Sequence, residues 1–314
     1  MADNKKRPRY LIVSPCRNEA EYMRQTLDTV SQQTVTPDKW VIIDDGSTDS
    51  TAAILKEYAD QFPWIQIVTR DNRGHRSVGP GVINAFYAGL DSVDKDDFDY
   101  LCKLDLDLRL PAGYFGELIR RCEENPRIGT CSGKAYMELE DGSVKSEKID
   151  DEMSVGASKF YRVSCFNEIG GFVREVMWDG IDCHHCRMKG WLALSWDHEE
   201  LNFIHLRPMG SSDQSIIKGR YRHGFGQYFM GSDPLYVFVA ATYRLAHRPY
   251  IIGGMASAWG YISSALKRVK RYDDPEFRKF LRAYQRKVLF KGKSAVVSEI
   301  NQQQEAVWLK NHSL

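Results

Sequence analysis

Short apolar runs alternate with segments of helical period through the first hundred residues, and each run closes on a polar or acidic group. Tyr10 to Ser14 reads as a buried strand, followed by a loop at Pro15-Cys16-Arg17-Asn18-Glu19. Glu21 to Gln32 then places Tyr22, Met23, Leu27 and Val30 at helical spacing. Trp40 to Ile43 is a second strand that ends in Asp44-Asp45-Gly46-Ser47, and Ser47, Asp49 and Ser50 offer N-caps for a helix from Thr51 to Asp60. Ile65 to Thr69 is a third strand, Arg70 to Gly74 a polar loop and Gly81 to Leu90 a third helix. A fourth strand begins at Tyr100 and runs into Asp105-Leu106-Asp107, and Pro111 stops it, because proline cannot donate to a sheet ladder.

Strands alternating with helices predict an α/β fold with a parallel sheet and helices on both faces. Acidic or polar clusters follow strands one, two and four, at the carboxyl ends where such sheets bind ligands. Asp105 and Asp107, one residue apart on a short turn, are hard oxygen ligands suited to Mg2+ or Mn2+, which bind diphosphates while keeping some waters. No Gly-x-Gly-x-x-Gly follows the first strand and no Walker-type loop occurs, which weighs against dinucleotide oxidoreductases and P-loop enzymes.

Further along, Tyr114 to Cys122 reads as a helix, Ile128 to Met137 as a strand and Lys159 to Ile169 as a helix capped by Gly170-Gly171. Trp178-Asp179-Gly180-Ile181-Asp182 precedes a helix from His184 to Lys189 that ends at Gly190, and Leu201 to Leu206 alternates weakly as a strand containing His205. Cys183-His184-His185-Cys186 lacks the second ligand pair that a structural zinc site needs, so helical packing is the better reading.

Composition narrows this little. The 314 residues, 43% hydrophobic and 27% charged, suit a globular protein with a sizeable core. A formal charge of +1 gives no reason to expect nucleic acid. Seven cysteines, an odd count, argue for a reducing cytosol, and Met1 to Arg9 has no apolar core of a signal peptide.

Taken together, Pro15-x-x-Asn18-Glu19, Asp44-Asp45-Gly46-Ser47-Thr48-Asp49, Asn72-x-Gly74, Asp105-x-Asp107, Gly170-Gly171-Phe172 and the acid-helix-Gly190 segment resemble the family 2 glycosyltransferases in order and spacing, over roughly residues 9 to 210. The stretch from Arg220 to Pro275 looks like bacterial members of polysaccharide assembly. The resemblance implies a GT-A fold, a Rossmann-like mixed sheet with helices on both faces, as a catalytic domain over 9–230, with a helical C-terminal region over 231–314. It implies an inverting transfer from a UDP- or GDP-linked sugar to a glycan or lipid-linked acceptor, with Mn2+ or Mg2+. Pro15, Asn18, Glu19, Asp44, Asp45 and Arg73 would hold the nucleotide, either Asp44 or Asp45 accepting from the base. Asp105 would contact ribose or sugar, Asp107 would hold the metal, and His205 would complete the metal site. Arg220 and Arg222, with His223, would close over the diphosphate, which arginine matches in a forked geometry. The base that deprotonates the acceptor would be Asp179, with Asp182 as its rival; the acid pair's usual Glu is Trp178 here.

Lys267 to Lys293 carries eleven Lys or Arg against three Asp or Glu, with Phe277, Phe280, Leu281, Tyr284 and Val288 at helical spacing. Beside it, Pro249 to Leu266 has no formal charge but is rich in glycine and serine, so it reads as a buried or interfacial helix rather than a span. The expected location is cytoplasmic, peripheral on the inner membrane face. Two other readings stand beside this one: a sugar-1-phosphate nucleotidyltransferase, whose Gly-rich activating loop is missing at Pro15 to Ala20, and a glycan-assembly scaffold without catalysis. No Gln-x-x-Arg-Trp signature of processive synthases lies between Gln214 and Tyr221, which favours addition of single sugars.

Overall fold

A computed structural model describes residues 7–72, 74, 79–207, 216–246 and 250–312. Two compact units emerge, one of residues 1–171 and 192–207, the other of 172–191 and 208–314. Position 230, taken from the sequence as a boundary, is the last residue of a helix inside the second unit.

The first unit is built on β1 (Tyr10–Cys16), α1 (Met23–Ser31), β2 (Lys39–Asp44), α2 (Thr51–Gln61), β3 (Ile65–Thr69), α3 (Pro80–Leu90), β4 (Tyr100–Leu104), β5 (Leu108–Arg109) and α4 (Tyr114–Glu124). Then come β6 (Ile128–Gly133), β7 (Ala135–Glu138), β8 (Val144–Ser146), β9 (Ser158–Arg162), α5 (Val163–Glu168), β10 (Leu192–Trp196) and β11 (Phe203–His205). Seven strands form one sheet in the order β10-β6-β9-β4-β1-β2-β3. Neighbours run parallel except β9, which is antiparallel to both β4 and β6. The apolar runs of β1, β2 and β4 are buried along nearly their whole length, as expected of strands covered on both faces. Tyr10, Tyr100, Phe115 and Phe160 form an aromatic group within one continuous core, with Tyr100 and Phe160 stacked at 5.0 Å.

Two sequence expectations change here. Residues 159–169 are not one helix: Ser158–Arg162 is a central strand and only Val163–Glu168 is helical. The aromatic pair Phe160-Tyr161 suits a strand buried on both faces, and tertiary pairing with β4 and β6 decides the outcome. The run from Ile128 also divides into β6 and β7, which belong to different sheets. The chain passes from one to the other at Gly133, where a Cβ would come within 1.6 Å of the Leu201 carbonyl oxygen. A second sheet, in the order β5-β11-β7-β8, then forms beyond the carboxyl end of β4.

The second unit is helical: α6 (Trp178–Met188), α7 (Ile216–Met230), α8 (Pro234–Leu245), α9 (Ile252–Leu266), α10 (Pro275–Lys291) and α11 (Lys293–His312). Ile181, Met230, Phe277, Leu281, Tyr284, Val296, Val297 and Ile300 make its main core. The apolar stripe of the basic tail therefore packs inward from α10. Helix α6 begins at Trp178, six residues earlier than the sequence pattern suggests, so Asp179 and Asp182 lie within it. The Cys-His-His-Cys segment packs: Cys183 and Cys186 are buried, His184 meets Tyr284 and His185 stacks on Phe277.

Candidate active site

The polar residues predicted after β1 and β2 meet in one knot. Asn18 takes a left-handed backbone conformation, φ 54°, which asparagine tolerates better than most side chains. Its backbone N–H donates to Ser47 Oγ at 3.0 Å, and its side-chain oxygen accepts from Thr48 N–H at 2.8 Å. Glu19 N–H donates to Thr51 Oγ1, and Asp49 accepts from the N–H groups of Ala20 and Thr51. Asp44 closes its own turn by accepting from Ser47 N–H at 2.9 Å. Asp45, also buried, pairs with Arg70 at 2.9 Å. Gly46 sits at φ +74°, and a Cβ there would come within 2.4 Å of Asn72 Cα, so both its conformation and its neighbour require glycine. Pro15 is near the end of β1, paired with Ile43. Arg73 lies outside the described residues.

Two devices position the acids that follow β4. Asp105 leaves the strand partly exposed, with its backbone N–H on the Ala157 carbonyl and its carboxylate on buried Lys103 Nζ at 2.5 Å. Although its edge meets solvent, the crowding of its carboxylate by protein raises its pKa, helped by the neighbouring Asp107 and only partly offset by Lys103. Asp107 is buried, and the second sheet brings it a histidine. β11 runs antiparallel to β5 with His205 opposite Leu108, and Leu206 N–H bonds the Asp107 carbonyl at 2.8 Å. His205 Nε2 thus stands 3.5 Å from Asp107 Oδ2, while its Nδ1 is 3.0 Å from Glu147 Oε2. Burial disfavours the charged imidazole, yet the two carboxylates outweigh it and push the His205 pKa up to about 9.

Arg207 completes this cluster. Its Nε donates to Asp107 Oδ2 at 2.6 Å and its terminal nitrogen to Glu19 Oε1 at 2.8 Å, so one guanidinium joins the loop after β1 to the acid after β4. Burial pushes the Asp107 carboxyl up, but His205 and Arg207 prevail and hold it below the usual carboxylate range. Sequence reasoning missed Lys103, Glu147 and Arg207. Arg207 alone carried a signal, since it is two residues beyond His205 and the same side of a strand recurs at that spacing.

Asp107 Oδ1 is buried without a hydrogen-bond partner. An orphaned carboxylate oxygen of this kind fits a hard divalent cation. Among the described residues no group of three or more His, Cys, Asp and Glu side chains is gathered to hold a metal ion. A cation here would therefore take one or two carboxylates and complete its shell with phosphate and water, the mode Mg2+ prefers.

The remaining candidates belong to the second unit. Asp179, in the first turn of α6, is partly exposed, whereas Asp182 is 1% exposed and accepts from Cys183 N–H. Arg220 and Arg222 stand on α7, a helix rather than a loop, and two residues apart on a helix do not share a face. His223 is buried beside Arg244 on α8, and burial together with Arg244 and Arg220 lowers its pKa to about 3.

The chain is similar to known proteins in sequence and in fold. A chondroitin synthase of Escherichia coli is 32% identical over 97 residues, which cover 30% of this chain and 14% of that protein, so the chain spans only a small part of that relative. Mannosyltransferase PcManGT from Pyrobaculum calidifontis, in a complex with GDP-Man and Mn2+, superimposes with a TM-score of 0.52 at 16% identity, covering 98% of this chain and 88% of that one. GalNAc-T7, holding UDP, GalNAc and Mn2+, superimposes at 0.58 and 15% identity, covering 99% and 58%. These likenesses bear out the expected GT-A fold. Residues 11–188, more than half of the sequence, match the family described as Glycosyl transferase family 2, and the chain belongs to that family.

Proposed function

We propose that the protein transfers a sugar from a nucleoside diphosphate sugar to a hydroxyl of a growing or lipid-linked glycan, with inversion at the sugar carbon. The observation that carries this reading is the convergence of Glu19 and Asp107 on Arg207 at the carboxyl ends of β1 and β4, with one buried Asp107 oxygen left for a further cation. The relatives' GDP-Man, UDP and Mn2+ supply the ligand class.

In this reading Asn18, Glu19 and Asp45, with Pro15 and Asp44 shaping their turns, receive the nucleotide. Asp105 faces the ribose or sugar, and Asp107 holds a divalent ion, Mn2+ or Mg2+, with His205 as a second ligand only once it has given up its proton and its bond to Asp107. When bound, that ion neutralises charge on the departing diphosphate. Asp179, more accessible than Asp182, takes the acceptor proton as the new bond forms. Arg220 and Arg222 remain candidates for the diphosphate, as does Arg73. The protein acts at the cytoplasmic face of a membrane, where a lipid-linked acceptor is presented.

Thermal unfolding against a panel of UDP- and GDP-sugars, with and without Mn2+, tests this. A ligand that binds only the folded state raises the midpoint, so the true donor stands out by a metal-dependent rise. A flat response across the panel, together with no release of nucleoside diphosphate, would overturn the reading.

A further inference from the structure

Helix α9 is inside out for a protein that meets only water. Its small residues, Gly253, Gly254, Ser257, Gly260, Ser263 and Ser264, are buried. Its large apolar residues face outward: Ile252, Met255 at 62% exposure, Trp259 at 57% and Leu266 at 73%. Their spacings of three, four and seven residues put them on a single face of the helix.

The small face has a clear cause. A Cβ on Gly224 of α7 would come within 1.9 Å of the Ser257 carbonyl oxygen, and one on Gly260 within 2.1 Å of the Tyr221 carbonyl oxygen. On the α8 side, a Cβ on Gly254 would come within 2.6 Å of the Ala241 carbonyl oxygen. Close backbone approach through small residues is how helices pack where water does not drive association. α8 repeats the pattern, burying Val237 and Ala241 while exposing Leu235, Phe238, Val239 and Tyr243.

Charge says what covers these faces. Residues 234–272 contain six Lys or Arg and no Asp or Glu. Lys267, Arg268 and Lys270 are exposed directly beyond the apolar face of α9. A second copy would bring only further cations from this hairpin, whereas a leaflet with anionic headgroups complements both the apolar stripe and the basic end. At fifteen residues α9 is about 22 Å long, too short for a hydrocarbon core of about 30 Å. Among the described residues no helix is long and apolar enough to cross a membrane.

We propose that α8 and α9 lie on an anionic lipid surface, with Met255, Trp259 and Leu266 sunk among the acyl chains and Lys267, Arg268 and Lys270 on the headgroups. The basic helix α10, which the sequence suggested for this role, has its apolar stripe in the core of its own unit. The inference deepens the lipid-linked acceptor reading and rests on it for its purpose.

The test is flotation of the full chain with phosphatidylcholine vesicles, with and without phosphatidylglycerol. Wild type should float with the anionic vesicles, and Trp259 should be quenched by brominated acyl chains. Met255→Ser/Trp259→Ser/Leu266→Ser, at exposed positions, should bind at least tenfold more weakly with an unchanged near-native fold by hydrogen exchange. Lys267→Glu/Arg268→Glu/Lys270→Glu should lose the preference for phosphatidylglycerol. Failure of wild type to float, or unweakened binding by the apolar triple variant, would overturn the proposal. So would sedimentation showing a dimer that the apolar triple variant dissolves in the absence of lipid binding. Nucleotide-sugar binding measured in lipid-free buffer reports separately on the glycosyltransferase reading: its loss with flotation intact would sink that reading and leave the membrane surface standing.

Discussion

Arg207 Nε lies 2.6 Å from Asp107 Oδ2, and the same guanidinium reaches Glu19 Oε1 at 2.8 Å. A permanent cation therefore occupies the carboxylate to which the metal is assigned. Any divalent ion that takes Asp107 must share it with Arg207 or displace it.

Arg207→Ala should separate these two effects. Removing one partner of a buried ion pair leaves uncompensated charge and typically costs about 3–5 kcal/mol; Arg207 is partly exposed, so the lower end, roughly 3 kcal/mol, is expected in metal-free buffer. The stabilisation gained on adding Mn2+ should be larger than in wild type, because the competing cation is gone. Arg207→Lys should fall between, since an ammonium lacks the fork that spans both acids. Thermal unfolding with and without Mn2+ measures both quantities, and an unchanged Mn2+ increment would mean that Arg207 and the metal do not compete.

Asp107→Asn keeps the shape of the side chain and removes its charge. The Mn2+-dependent rise in the unfolding midpoint should vanish. Metal affinity should fall by more than the roughly 10–100-fold typical of losing an outer-shell partner. Chelation of wild type should reproduce the loss reversibly. Full turnover of Asp107→Asn, or of wild type in excess chelator, would remove the metal from the mechanism.

Gly46→Ala addresses the nucleotide loop. At φ +74° with Asn72 Cα where a Cβ would stand, the substitution combines backbone strain with a backbone clash. A cost of about 1–3 kcal/mol is expected from the strained conformation. Donor affinity should drop as the loops after β2 and β3 separate. Equilibrium unfolding and donor titration check this, and an unaltered affinity would mean that the loop after β3 does not shape the pocket.

The strand-ending acids could be read from the sequence because their cause is local: Asp44, Asp45, Asp105 and Asp107 each follow an apolar run, and a parallel sheet collects the ends of its strands on one edge. Glu147 and Arg207 could not be found that way. Arg207 comes to Asp107, and Glu147 to His205, through the pairing of β11 with β5 and β7, short strands whose partners are distant in sequence, with β8 added to β7 by a local turn. Lys159 to Arg162 reads as helix in the sequence because period alone cannot separate a short buried strand from the start of a helix. The uncharged stretch ending at Leu266 was visible, but not which of its faces turns inward. That depends on Gly224 and Gly260, which let α7 and α9 approach closely.

The final prediction concerns the acceptor base. Asp179 and Asp182 are three residues apart in the first two turns of α6, and differ in access rather than in residue type. Asp182 is almost fully buried and accepts from the N–H of Cys183, while Asp179 is partly exposed in the first turn. A general base must reach the proton it removes, so geometry favours Asp179. Asp179→Asn removes basicity while keeping size, and transfer should fall by roughly 10²–10⁴-fold, the usual contribution of general base catalysis. Donor affinity should change little, because the nucleotide is assigned to the loops after β1 and β2. Asp182→Asn should instead lower stability, since it alters a buried, hydrogen-bonded carboxyl group, and leave transfer per folded molecule within a few-fold of wild type. Steady-state transfer, donor titration and thermal unfolding on both variants distinguish these roles. If Asp182→Asn abolishes transfer and Asp179→Asn does not, the base moves one helical turn inward. If both lose donor binding equally, α6 shapes the donor pocket and does not serve the acceptor.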